Sequence, residues 1–158
     1  MLGKKERKAR VLFIDEKNDL TSQLAEYFTR EYYGSRYEAY SAGPKHDLVD
    51  CEMISVMYQR GEDMRRQVSK DFRDRDHLRD DEDYDFVIFL REKVFEEWAK
   101  RTPWQGKQIL FEMGSAEDFS ATDDKELAEC YSDLIDKVSA WVSENLKETD
   151  KLRSMISA

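Results

Sequence analysis

Apolar positions along this chain follow two rhythms. Four short runs, "RVLFI" (10–14), "YEAYSAG" (37–43), "DFVIFL" (85–90) and "QILFEM" (108–113), have the length of strands. The β-branched, apolar content of the first suits a strand covered on both faces. Between them, apolar residues recur every three or four positions, as on a helix with one buried face. Leu24, Ala25, Phe28 and Tyr32 predict a helix from Ser22, with Ser22 as cap and Gly34 as stop. "DCEMISVMYQRG" (50–61) predicts another, with Cys51, Ile54 and Met57 or Tyr58 inward and Gly61 ending it. "REKVFEEWAKR" (91–101) turns Val94, Phe95 and Trp98 inward, and Pro103 and Gly106 then break the chain. The longest stripe runs through Leu127, Tyr131, Leu134, Ile135, Val138, Trp141 and Val142 and ends near Leu146. Residues 62–83 are charge-rich and read as a short exposed helix with loops, while 149–158 read as a frayed tail.

Strands separated by helices predict an α/β fold in three layers, an open four-stranded parallel sheet with helices on both faces. One domain over residues 1–158 is expected, with 1–9 as a basic lead-in. Ligands of such sheets bind at the carboxyl ends of the strands. That rule points to the loop after Ile14, Asp15-Glu16-Lys17-Asn18-Asp19-Leu20-Thr21-Ser22. The loop is acidic and holds no cysteine, arginine or glycine.

Charge narrows the partners. Charged residues make up 39% of the chain and the formal net charge is −9, so its average field repels nucleic acid and anionic membrane, and neither is expected as a partner. The longest apolar run, Phe86–Leu90, has five residues, far short of a membrane span. "KKERKAR" has no long apolar segment behind it, so it reads as a solvated lead-in and not a secretory leader. Cys51 and Cys130 read as free thiols at core positions of a cytoplasmic protein. There is no CxxC, and His46 and His77 stand apart, so neither a metal nor a cofactor is expected.

The order of segments resembles the low-molecular-weight protein tyrosine phosphatases and the arsenate reductases built on the same scaffold, over about residues 10–146. "VLFI" stands at the family's first strand. Asn18, Ser22 and Leu24-Ala25-Glu26 fit the end of its phosphate loop and first helix, and "YSAG" (40–43) fits the exit of its second strand. "MISVMYQRGED", "SKDF…DYDFVIFL" and "YSDLID" continue the order. In that family a loop of Cys, five residues, Arg and Ser closes on phosphate. The thiolate attacks phosphorus, while backbone N–H groups and the arginine fork hold the equatorial oxygens. Here the resemblance puts Asp15 at the nucleophile position and Thr21 at the arginine position, with Ser22 matching. The family's general acid is an Asp before Pro. The nearest candidate is Asp118, which precedes Phe119. The cysteines of a thiol relay are also absent after strand three, where Leu90 is followed by Arg91.

The resemblance therefore implies a disabled phosphate loop with no catalytic residue of the family's kind. Glu16 and Asp19 would meet phosphate with like charge, at a cost of a few kcal/mol (roughly) per close contact. Residues 15–22 and Ser41 are expected as the binding positions, for an unknown protein or small ligand. If the loop keeps its shape, the carboxylate of Asp15 or Asp19, Asp15 first, is expected to fold inward onto the loop's N–H groups, which would depress that acid's pKa. The alternative is an enzyme, a metal-assisted phosphohydrolase using Asp15 and Asp118. A receiver domain would require a carboxylate closing "DFVIFL", where Leu90 stands, and a haloacid-dehalogenase-type site would require a second acid where Lys17 stands. The tyrosines 27, 32, 33, 37 and 40 read mainly as packing of helix one on strand two, and Asp80–Asp83 as a solvated turn.

Overall fold

The computed structural model describes residues 7–157. Strands β1 (Ala9–Ile14), β2 (Tyr37–Ala42), β3 (Phe86–Phe89) and β4 (Gln108–Leu110) form one parallel sheet in the order β2-β1-β3-β4. Among the described residues five α-helices accompany it: α1 (Thr21–Tyr33), α2 (Cys51–Gln59), α3 (Glu92–Trp98), α4 (Asp124–Asn145) and α5 (Thr149–Ser154). β1 is central because both its faces are apolar. Val11 and Phe13 enter one core layer with Leu24 and Phe28 of α1 and Ile135, Val138 and Val142 of α4. Leu12 and Ile14 enter the other with Val87, Phe89, Val94 and Trp104. This is the two-sided burial that an unbroken apolar run implies. The strand order reverses at β1, so the loop following Ile14 opens at the switch point of the sheet.

Several expectations need correction. The chain from 149 is not frayed: α5 forms there, Leu152 is fully buried, and the Ser157 N–H donates to the Gln108 carbonyl at 2.8 Å. Leu152, Met155 and Ile156 pack on the core at helical spacing, and that anchors the segment. Of the basic lead-in, residues 1–6 lie outside the described residues, and Ala9 already belongs to β1. In α2 the buried residues are Met53, Val56 and Met57, whereas Cys51 and Tyr58 are exposed. Asp50 caps the helix by accepting from the Met53 N–H, and its other carboxylate oxygen accepts from the Tyr131 hydroxyl at 2.7 Å. That pair of contacts fixes which face meets α4. The two cysteines are free thiols but not core fillers, Cys130 being half-buried. Residues 62–83 contain loops and a single 3₁₀ turn at Asp81–Asp83. Tyr32 and Tyr33 reach α4, at Ser139 and the Ser143 carbonyl, and Tyr40 packs edge-on to Tyr84 on the opposite layer.

No helix among the described residues is long and apolar enough to cross a membrane. Because α5 closes the core through one leucine, Leu152→Ala should lower unfolding free energy by ~2–5 kcal/mol, the range for a cavity left by a buried leucine. Urea denaturation checks this, and a change within error would mean that α5 is only loosely attached.

Candidate functional site

The loop leaving β1 is built around a left-handed residue. Asn18 has φ of 51°, a conformation that asparagine tolerates better than most non-glycine residues. Its side chain is wholly buried: Nδ2 donates to Ser22 Oγ at 2.8 Å, while Oδ1 accepts from Gln23 Nε2 and the Lys70 N–H, both at 2.8 Å. Gln23 also donates to the Asn18 and Val68 carbonyls, and Gln67 donates to both Gln23 and Glu26. Beneath lies a buried ion pair, Lys70 Nζ to Glu26 Oε1 at 3.1 Å. Gly43 lets β2 exit against the loop, since a Cβ there would stand 2.6 Å from the Asp15 carbonyl oxygen.

This framework turns the N–H groups of Asn18 and Ser22 inward, and what those two meet is Asp15. Its Oδ1 accepts from the Asn18 N–H at 2.6 Å and its Oδ2 from the Ser22 N–H at 2.8 Å. α1 begins at Thr21, and neither Ser22 nor Leu20 caps it through a side chain. Asp15 does so from seven residues upstream, taking the place that a local capping residue would fill. Thr21 is buried, and its hydroxyl donates to the Gly114 carbonyl at 2.8 Å. Gly114 itself sits at φ 91°.

The expected depression of the Asp15 pKa is not found. Its pKa is raised, because loss of water around a fully buried carboxylate outweighs the hydrogen bonds from Ser22 and Asn18. Asp19 is pushed up to about 6 by burial first and by the Asp15 charge second.

The cavity in front of the loop is small, about 130 Å³, with Asp15, Glu16, Lys17, Asp19, Leu20 and Thr21 on one side and Ser115–Glu117 on the other. Of the expected binding residues, Asn18 and Ser22 lie under the loop as supports. Ser41 is a correction. It is fully buried, lines no part of this cavity, and its hydroxyl donates to Glu26, because the side chain points from β2 into the ion-pair layer. Asp118 lies at the end of a short 3₁₀ turn opposite, Ala116–Asp118. Its carboxylate accepts from the Ser115 N–H at 3.1 Å and Arg91 Nη1 at 3.2 Å, and these hold its pKa below the usual range.

Arg91 was missed as a site residue. It follows β3, is 6% exposed, and lies among Asp118, Glu117, Glu16 and Glu112 at 3.2, 3.4, 3.4 and 3.6 Å. Lys93 bridges Glu16 and Glu117 at 3.1 and 2.8 Å. A cation ending a central strand at the ligand-binding edge was the available signal. Among the described residues no group of three or more His, Cys, Asp or Glu is arranged to hold a metal ion.

A family model described as low molecular weight phosphotyrosine protein phosphatase matches residues 10–152. No curated protein sequence matches the chain. Among solved structures, a low-molecular-weight protein tyrosine phosphatase from T. tengcongensis shares 21% identity, covering 94% of this chain and 100% of that one, with a TM-score of 0.66. A low-molecular-weight phosphotyrosine phosphatase from Vibrio cholerae O395 shares 15%, covering 89% and 98%, with a TM-score of 0.68. An arsenate reductase in the phosphate binding state shares 20%, covering 94% and 99%, with a TM-score of 0.65. At such identities these structures speak for the fold.

The sign of the Asp19 shift gives a stability prediction. A carboxyl whose folded pKa is raised costs nothing below the ordinary aspartate range. Its cost sets in as pH climbs toward about 6 and is complete above that. Asp19→Asn should therefore be more stable than the parent at pH 8 by about 1 kcal/mol, a figure discounted because the side chain is partly in water. The gain should vanish near pH 4. Paired thermal melts at the two pH values check it, and an equal gain at both would show that charge is not its source.

Proposed function

The chain belongs to the low-molecular-weight phosphotyrosine protein phosphatase family, and from that premise we propose that it is a non-catalytic member. In this reading it is a cytoplasmic binding or regulatory protein whose phosphate site is closed by its own carboxylate. The observation that carries the reading is the pair of backbone N–H groups, of Asn18 and Ser22, donating to Asp15. Stabilising a phosphoryl transition state requires donors free to meet the developing charge. These two are engaged with the Asp15 carboxyl oxygens instead.

Other features support it. The Thr21 hydroxyl is engaged with Gly114 and has no fork to offer an oxyanion. Asp118, held ionised by Ser115 and Arg91, is a poor proton donor at neutral pH. Arg91 brings a guanidinium to the site, but four carboxylates surround it. A metal-assisted phosphohydrolase using Asp15 and Asp118 would need both carboxylates free to share an ion, and each is committed to the partners just named. The partner proposed is a protein or a small ligand, and neither nucleic acid nor membrane. For a protein partner the segments tied to the loop through Ser69 present Leu48, 80% exposed, and Val68.

Incubated with p-nitrophenyl phosphate and a metal chelator, the protein should release nitrophenol no faster than buffer, and Asp15→Ala should not change that rate. Turnover above buffer that Asp15→Ala abolishes would overturn the reading.

A further inference from the structure

At the amino ends of the strands, opposite the acidic loop, the protein has a second and larger cavity of about 750 Å³. Five cations line it: Arg7 and Lys8 before β1, Arg36 in the turn between α1 and β2, Lys147 in the link between α4 and α5, and Arg153 in α5. Three carboxylates share the lining, Asp85, Glu148 and Asp150. In a chain of formal net charge −9, a cavity where cations outnumber acids is a local inversion of the field.

Part of this set is held in place by the fold. Arg7 forks onto both Asp85 oxygens at 2.8 and 3.0 Å, and Asp85 also accepts from the Arg10 N–H. Arg36 donates to the Lys147 carbonyl, joining the two segments across the cavity. Arg153 pairs with Asp150 at 3.0 Å, and its guanidinium lies 5.9 Å from the centroid of the Phe86 ring. Among the described residues Lys8, Arg36 and Lys147 pair with no carboxylate. Three such cations around one concavity repel one another, and their guanidinium and ammonium donors suit phosphate oxygens.

We propose that this cavity is a binding site for a compact polyanion carrying two or more phosphate groups. The cations come from segments far apart in sequence, so one phosphate could satisfy only some of them, whereas a short phosphate chain could span several. The chemistry is shared by inorganic oligophosphates and nucleoside triphosphates, and the cavity volume is within the range typical of small-molecule sites. The site is separate from the acidic cavity and does not depend on whether the family's chemistry is retained.

Titration calorimetry of the full chain with sodium tripolyphosphate, at low and at physiological salt, tests this. One saturable site is expected, weaker at higher salt and weaker for orthophosphate. An adenosine triphosphate arm without metal distinguishes the sources: equal affinity assigns recognition to the phosphate chain, and tighter binding assigns part of it to the nucleoside. The double variant Lys8→Ala/Lys147→Ala should weaken binding at least about tenfold, since one charge-assisted hydrogen bond alone is worth about that much. It removes only side chains without a carboxylate partner, so its folding is not at risk as that of Arg36→Ala is. Lys93→Ala, at the opposite end of the sheet, should bind as the parent does. No saturable binding, undiminished binding by the double variant, or an equal loss in Lys93→Ala would overturn the proposal.

Discussion

Two backbone N–H groups pointing at one carboxylate set the terms for the rest of the site. The Asn18 turn and the start of α1 bring these donors together, and a buried donor left without an acceptor costs ~1–3 kcal/mol. In an anion-binding loop the ligand answers that need. Here Asp15 answers it for these two donors from within the chain. The arrangement has a cost of its own, because a fully buried carboxylate loses its water, and that loss raises its pKa in spite of both hydrogen bonds. Asp19 feels the same charge next door. The surrounding network of Asn18, Gln23, Gln67, Lys70 and Glu26 supports a loop whose central polar group is a buried carboxyl.

Much of this was legible in the sequence, for identifiable reasons. The runs of β1 and β3 became central strands because burial on both faces leaves no room for alternation, as Val11 to Ile14 show most plainly, while β2 at the edge alternates between buried and half-buried positions. The inward fold of Asp15 followed from placing an acid where N–H groups converge. What escaped were quantities set by tertiary environment. The sign of the Asp15 shift depends on how completely water is excluded, which spacing does not report. The pairing of Arg91 joins positions 16, 91, 112, 117 and 118, which lie on separate segments. On α2 the inward positions of Ile54 and Met57 were legible, but not the exposure of Cys51 at the helix start, where Tyr131 on α4 holds Asp50. α5 was missed because Leu152, Met155 and Ile156 are too few for a visible stripe, although one fully buried leucine suffices to anchor a short helix.

The two ends of the sheet have opposite electrostatic character. At the carboxyl end, Arg91 and Lys93 hold a ring of acids together, and the adjoining cavity is small. At the amino end, cations from several segments outnumber acids around a cavity several times larger.

The central claim, that the Asp15 carboxylate occupies the loop in place of an anion, is most directly tested by amide NMR. Inorganic phosphate would be titrated into the ¹⁵N-labelled protein and into Asp15→Ala, following the Asn18 and Ser22 amides. The account predicts that neither amide moves in the parent up to millimolar phosphate, and that both shift saturably once the carboxylate is removed. A saturable shift of these amides in the parent would show that the loop still accepts phosphate and would contradict it.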